Sequence, residues 1–125
     1  MPASQGTSAS VDLVVDDDDT AAALGSGDVP VLGTPRVLAL AEEACCAAIE
    51  GTLAEGETSV GMRAQLDHLA PIMVGSKVRA EATLEKVEGR RLVFTVTVSD
   101  DCGLVAAGRL TRVVVRRLDF LDKAR

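Results

Sequence analysis

The sequence predicts an α+β domain in which an antiparallel sheet curls around one central helix. Three observations predict it. One long helical stretch, residues 33–51 (GTPRVLALAEEACCAAIEG), is apolar on most sides. After it, residues 59–118 alternate with a period of two and are broken by tight turns. The whole chain is 125 residues with 47% apolar side chains, enough for one domain with a core of its own.

Residues 1–10 are small and polar and are expected to form a flexible tail, leaving a folded domain over 11–121. Residues 11–15 (VDLVV) read as a short first strand. The four aspartates Asp16 to Asp19 lack the spaced ligands of a calcium loop and read as a solvated turn.

The central helix has good boundaries. Thr34 suits an N-cap, Pro35 suits the first helical position, and Gly51 suits a left-handed C-cap. Arg36, Glu43 and Glu50 recur every seven residues and form one polar stripe along the axis. Glu43 is therefore the expected solvent-side carboxylate. Its neighbour Glu42 aligns with Leu38, Cys45 and Ile49, although a broader stripe holding both glutamates also fits the periodicity. A charge among apolar neighbours is costly unless paired or protonated, so Glu42→Gln is expected to hold or raise stability.

The strands follow in order. In residues 59–68, Val60, Met62, Ala64 and Leu66 share one face with His68, opposite Arg63, Gln65 and Asp67. In residues 77–87, Val78, Ala80, Ala82 and Leu84 alternate with charged and polar side chains. Glu88-Gly89-Arg90 turns the chain into residues 91–99, and Asp100 to Gly103 turns it again. The last segment, 104–118, changes phase around Arg112 to Val115, which predicts a bulge or twist there. A meander of this kind with one apolar helix buries both by curling the sheet around the helix, the hot-dog architecture. Its free strand edge calls for a second subunit, so a homodimer or dimer of dimers is expected.

Composition excludes several function classes. A net charge of −6 and only two aromatic residues, both Phe, argue against nucleic acid or an anionic membrane as partner. No apolar run reaches membrane-spanning length, and the first residues lack the pattern of a signal peptide. Three cysteines, two of them adjacent, make neither a disulfide framework nor a zinc site. The expected compartment is the cytoplasm. No metal cluster, phosphate loop or dinucleotide fingerprint occurs, and no cofactor is expected. What remains is Thr34 at the helix start, Glu42 on its buried side, and His68, the single histidine.

The run VLGTPRVLALAEEACCAAIEG, followed by GMRAQLDHLAPIMVGSKV, resembles the thioesterase family that includes the fluoroacetyl-CoA-specific thioesterases. The resemblance covers about residues 11–118. It implies a catalytic triad of a threonine, a glutamate eight residues on and a histidine a further 26 on, intervals that Thr34, Glu42 and His68 reproduce. It thereby selects Glu42 over Glu43. It also implies that Gly61 lines the substrate site. The fluoroacetyl-specific members carry a phenylalanine-bearing lid before the threonine, whereas this chain has GSGDVPVLGT there, so fluorine selectivity is not implied.

The implied function is hydrolysis of a thioester, a small acyl-CoA, with coenzyme A entering only as part of the substrate. The helix N-terminus suits the carbonyl oxygen, Glu42 suits a base or an attacking carboxylate, and His68 suits proton transfer. Thr34 either orients these groups or merely caps the helix. Arg109, Arg112, Arg116 and Arg117 are candidates for the phosphates of coenzyme A, or are solvated strand charges. The competing reading is a non-catalytic hot-dog dimer that binds an acyl-CoA or another small ligand without turning it over.

Overall fold

The computed structural model describes residues 3–125. Five strands, β1 (Ser8–Val14), β2 (Glu57–His68), β3 (Lys77–Glu88), β4 (Arg91–Asp100) and β5 (Gly103–Arg116), form one antiparallel sheet in the order β1-β3-β4-β5-β2. A one-turn helix α1 (Ala21–Leu24) leads to the central helix α2 (Thr34–Ala48), and a short helix α3 (Arg117–Asp122) follows β5. This is the hot-dog arrangement, an α+β fold.

The sheet starts earlier than the sequence suggested. Ser8 to Ser10 pair with Glu81 to Thr83, and the Gly6 N–H donates to Leu84 O, so most of the expected tail is held on β3. Met1 and Pro2 lie outside the described residues.

The core lies between α2 and the concave face of the sheet. Val37, Leu40, Ala41, Ala44, Cys45 and Ala48 of the helix meet Val78, Ala80, Ala82, Leu84, Phe94, Val96 and Leu110. The alanines on both sides let helix and sheet approach closely, and Phe94, fully buried, fills the space between them. Burying that ring contributes on the order of 2–3 kcal/mol. Helix α2 lies mainly on β1 and β3 and stands off β2. The gap between α2 and β2 holds the polar residues that the core does not.

One irregularity decides which side chains enter that gap. The register of β2 against β5 slips between Gly61 and Arg63, leaving Met62 as the extra residue of a bulge. Gly61 and His68 are seven residues apart, an odd interval that strict alternation would place on opposite faces. The bulge puts both on the concave face: Gly61 pairs with Arg112, and Ala64, Leu66 and His68 pair with Leu110, Gly108 and Ala106. Gly108 is needed because a Cβ there would run into the carbonyl of Gln65. The bulge expected in β5 at 112–115 is therefore in β2, across from it. The phase change in β5 arises because Arg112 takes an inward position between Leu110 and Val114.

Candidate active site

Thr34 is not the helix cap. The N-cap residue is Gly33, no side chain caps the helix, and Thr34 is the first helical residue. Its hydroxyl is thus free to turn towards β2, where Thr34 Oγ1 lies 2.8 Å from His68 Nδ1. His68 is held at the end of β2, and the chain leaves the strand directly after it through bonds from the Leu69 and Ala70 N–H groups to Val105 O. The other ring nitrogen, Nε2, is buried and has no partner among the described residues. A buried polar atom without a partner is rare enough to mark a place for something else to bind.

Beside this pair is an open cavity of about 280 Å³, walled by Val29, Val31, Leu69 and Pro71, with Thr34 and His68 on its polar side. The helix start supplies one donor to it. The Gly33 N–H donates to Asp19 O, Pro35 has none, and the Arg36 and Val37 N–H groups both donate to Gly33 O. Among the described residues this leaves the Thr34 N–H for a ligand oxygen, at the positive end of the helix.

Glu42 lies elsewhere. Eight residues along α2 it is about 12 Å further down the axis, and its carboxylate Oε2 accepts from Arg112 Nη1 at 2.9 Å. Arg112 is nearly buried, its side chain 9% exposed, while that of Glu42 is 39% exposed. The guanidinium is anchored on β2 as well: Nε donates to Ser59 Oγ at 3.0 Å and Nη2 to Ser59 O at 2.9 Å. Gly61 supplies the room, since a Cβ there would sit 2.7 Å from Glu42 Oε2. Leu38, Met62, Ala64 and Leu110 complete a cavity of about 220 Å³ around the pair. Nearby, burial pushes the Cys45 thiol up to about 12, against the pull of the Arg112 charge, so it stays a neutral neighbour.

The structure therefore brings Thr34 to His68, and Glu42 to Arg112 beside Gly61, at two places about 12 Å apart along α2. Reacting groups must come within about 3–3.5 Å of the atoms they act on. The residue that sequence reasoning misplaced is Arg112, first considered for phosphates. The signal for its role was the charged residue interrupting the inward face of β5.

The other predicted features are placed as follows. Arg109 pairs with Glu85 on the convex face and Arg116 with Asp119. Glu43 pairs with Arg36 at 3.2 Å along the exposed stripe. Arg36 also donates to Asp19 at 3.0 Å, so the acidic run is not wholly solvated: Asp19 is buried and fastens the 17–19 turn to α2. Among the described residues, no cluster of His, Cys, Asp and Glu could hold a metal ion, and no helix is long and apolar enough to cross a membrane.

Comparison with known proteins gives a consistent result. The profile of the fluoroacetyl-CoA-specific thioesterase family, FlK, matches residues 15–118. A fluoroacetyl-CoA thioesterase of Streptantibioticus cattleyicolor is 34% identical over 95 residues, which cover 76% of this chain and 68% of that protein. A crystal structure of a FlK variant with fluoroacetate and CoA superposes with a TM-score of 0.89 at 29% identity, covering 94% of this chain and 98% of that one. A thioesterase-superfamily protein of Thermus thermophilus superposes with a TM-score of 0.89 at 30% identity, covering 97% and 90%.

Proposed function

Since the chain belongs to the family of fluoroacetyl-CoA-specific thioesterases and is an acyl-CoA thioester hydrolase, we propose that Thr34, His68 and Glu42 carry its chemistry, assembled from two subunits. The observation that carries this reading is the unpartnered, buried Nε2 of a histidine whose Nδ1 already meets Thr34. Strand β2 is an edge strand, with no neighbour on its outer side among the described residues. An edge of this length invites pairing with its own copy. A two-fold axis near Gln65 sets His68 opposite the partner subunit's Gly61, because Met62 is skipped in the ladder, and so brings Thr34 and His68 towards the partner subunit's Glu42. The assembly is a homodimer, or a dimer of dimers, with two such sites per pair.

In this arrangement the thioester carbonyl lies between the half-sites. The Thr34 N–H and the helix dipole stabilise charge growing on its oxygen. The Glu42 carboxylate, held by Arg112, either takes a proton from the water that attacks the carbonyl carbon or itself attacks that carbon, giving a mixed anhydride that water then hydrolyses. His68, oriented by the Thr34 hydroxyl, transfers the proton that ends on the departing coenzyme A thiolate. Gly61 shapes the wall at the carboxylate. No cofactor is needed beyond the coenzyme A of the substrate.

The acyl group is small. The cavity beside Thr34 is walled by Val29, Val31 and Leu69 and contains no phenylalanine, which supports a short acyl chain without selection for fluorine. Three free cysteines suit a reducing cytoplasm. The test is a hydrolysis screen over short-chain acyl-CoAs, fluoroacetyl-CoA included, read as released thiol. Turnover of short acyl chains to similar extents with and without fluorine is expected. Turnover confined to fluoroacetyl-CoA would overturn the substrate reading.

A further inference from the structure

The ion pair at Glu42 is held from behind. Arg112 uses Nε and Nη2 on a single residue, Ser59, through its hydroxyl at 3.0 Å and its main-chain carbonyl at 2.9 Å. A guanidinium is planar, so fixing two of its nitrogens fixes the plane and with it the direction of the third. That third nitrogen, Nη1, meets Glu42 Oε2 at 2.9 Å. No other group among the described residues donates to the Glu42 carboxylate. Its aim thus depends on Arg112 on one side and on the missing side chain of Gly61 on the other. Ser59 and Gly61 are successive inward positions of β2, opposite Val114 and Arg112 of β5. One short piece of strand therefore sets both restraints.

We propose that Ser59 is a positioning residue for thioester hydrolysis: its hydroxyl locks the plane of the Arg112 guanidinium and thereby aims the Glu42 carboxylate at the carbonyl. The proposal rests on the role given above to Glu42. Without the hydroxyl, the guanidinium keeps its bond to the Ser59 carbonyl but is free to rock about it. A carboxylate loosened in this way loses catalytic rate more than substrate affinity, because the rate is sensitive to small misplacements of reacting groups. A serine that served only to satisfy a buried arginine would instead affect stability alone.

Steady-state kinetics and melting curves for S59A and S59T, each in the native and the E42Q background, test this. S59A is expected to lower kcat about tenfold with KM changed less than about twofold. S59T keeps the hydroxyl and restores kcat to within about threefold. In the E42Q background S59A should cause no further loss, because its effect passes through the carboxylate already removed. If S59A does not fold, Ser59→Cys, similar in size but a weak acceptor, carries the same comparison. A lowered Tm with unchanged kcat, or an equal loss in the E42Q background, overturns the proposal. A fully active E42Q removes the Glu42 assignment and this proposal together. An inactive E42Q beside a fully active S59A removes this proposal alone.

Discussion

Thr34 Oγ1 and His68 Nδ1 are 2.8 Å apart, one on the first turn of the central helix and the other at the last position of β2. The pair joins two elements that otherwise stand off from each other, and it determines how the imidazole faces. Replacing His68 by Ala or Gln is expected to lower turnover by a factor on the order of 10² or more, with the fold intact, since the residue ends a strand and lies outside the core cluster. Thr34→Ser should keep most of the activity and Thr34→Val should lose it, because Ser retains the hydroxyl whereas Val keeps the shape of Thr with a methyl in the hydroxyl's place. Equal activity in the Ser and Val variants would show that the hydroxyl has no part in the reaction. A melting curve for each variant checks that the comparison is made on folded protein.

The adjacent glutamates separate cleanly. Glu42→Gln should reduce kcat by about a hundredfold or more, while Glu43→Gln, on the exposed Arg36 stripe, should leave it nearly unchanged. Stability now points the other way from the sequence expectation. Among apolar neighbours, Glu42 is expected to be costlier to bury than an amide, so that Glu42→Gln holds or raises stability. Glu42 is instead the counter-charge of a nearly buried arginine, and Glu42→Gln leaves that cation without one. The cost should be about 1 kcal/mol, moderated because Glu42 itself is 39% exposed. Thermal melts of the two variants in parallel decide it. A Glu42→Gln protein that melts higher than the parent would show that the pair does not stabilise the fold.

Gly61→Ala is the smallest change that tests the geometry at the carboxylate. The new Cβ would sit 2.7 Å from Glu42 Oε2, so the carboxylate must shift from the position it holds beside Arg112. Activity should fall by at least about tenfold, and the strand should survive, since alanine fits an extended backbone. Unchanged kcat and KM would mean that Glu42 works from another position than the one seen.

The curl of the sheet around the helix was legible because period and turns are written plainly in residues 77–103. Thr34, Glu42 and His68 were singled out by intervals that the family resemblance implies, as was Glu42 over Glu43; the structure brings Thr34 to His68 and sets Glu42 beside Arg112. Three features were not legible. The β2 bulge was hidden because Val60, Met62, Ala64 and Leu66 alternate well in sequence, so nothing signalled that Met62 is skipped in the pairing. The partner of Glu42 was hidden because Arg112 is 70 residues away and arginines on strands are usually solvated. Thr34 looked like a cap because threonine is good at capping, yet Gly33 takes that place and the hydroxyl serves His68 instead. In each case a long-range contact overrode a sound local preference.

The outer face offers a prediction in pH. Hydrogen bonds from Arg79, supported by Lys77, hold the Asp12 carboxyl at about 2, below its ordinary 3.8. A carboxylate with a depressed value in the folded state binds protons less readily there than in the unfolded chain. The stability it contributes is therefore present above about pH 4 and is lost as pH falls towards 2. Because the group is exposed, the effect is small and weakened by salt. Asp12→Asn should melt below the parent near neutral pH, and the gap should close as pH falls through that window. A gap that stays constant down to pH 2 would assign the difference to packing and not to the ion pair.

Assembly and chemistry can be tested in one experiment by mixing defective subunits. If each site takes Thr34 and His68 from one subunit and Glu42 from the other, H68A and E42Q homodimers are both inactive for different reasons. In a mixed dimer one site receives both substitutions and the other receives neither. The intact site combines the histidine of the E42Q subunit with the glutamate of the H68A subunit. Random exchange makes about half of the dimers mixed, each with one working site, so about a quarter of the parental activity should return. The return should require subunit exchange, appearing after partial dissociation and refolding together and not on simple mixing of tight dimers. Light scattering should show the parent and both variants as dimers or multiples of dimers. If activity stays at the sum of the two variants after exchange is demonstrated, the three residues act within one subunit. A stable monomer with full activity would remove the shared site altogether.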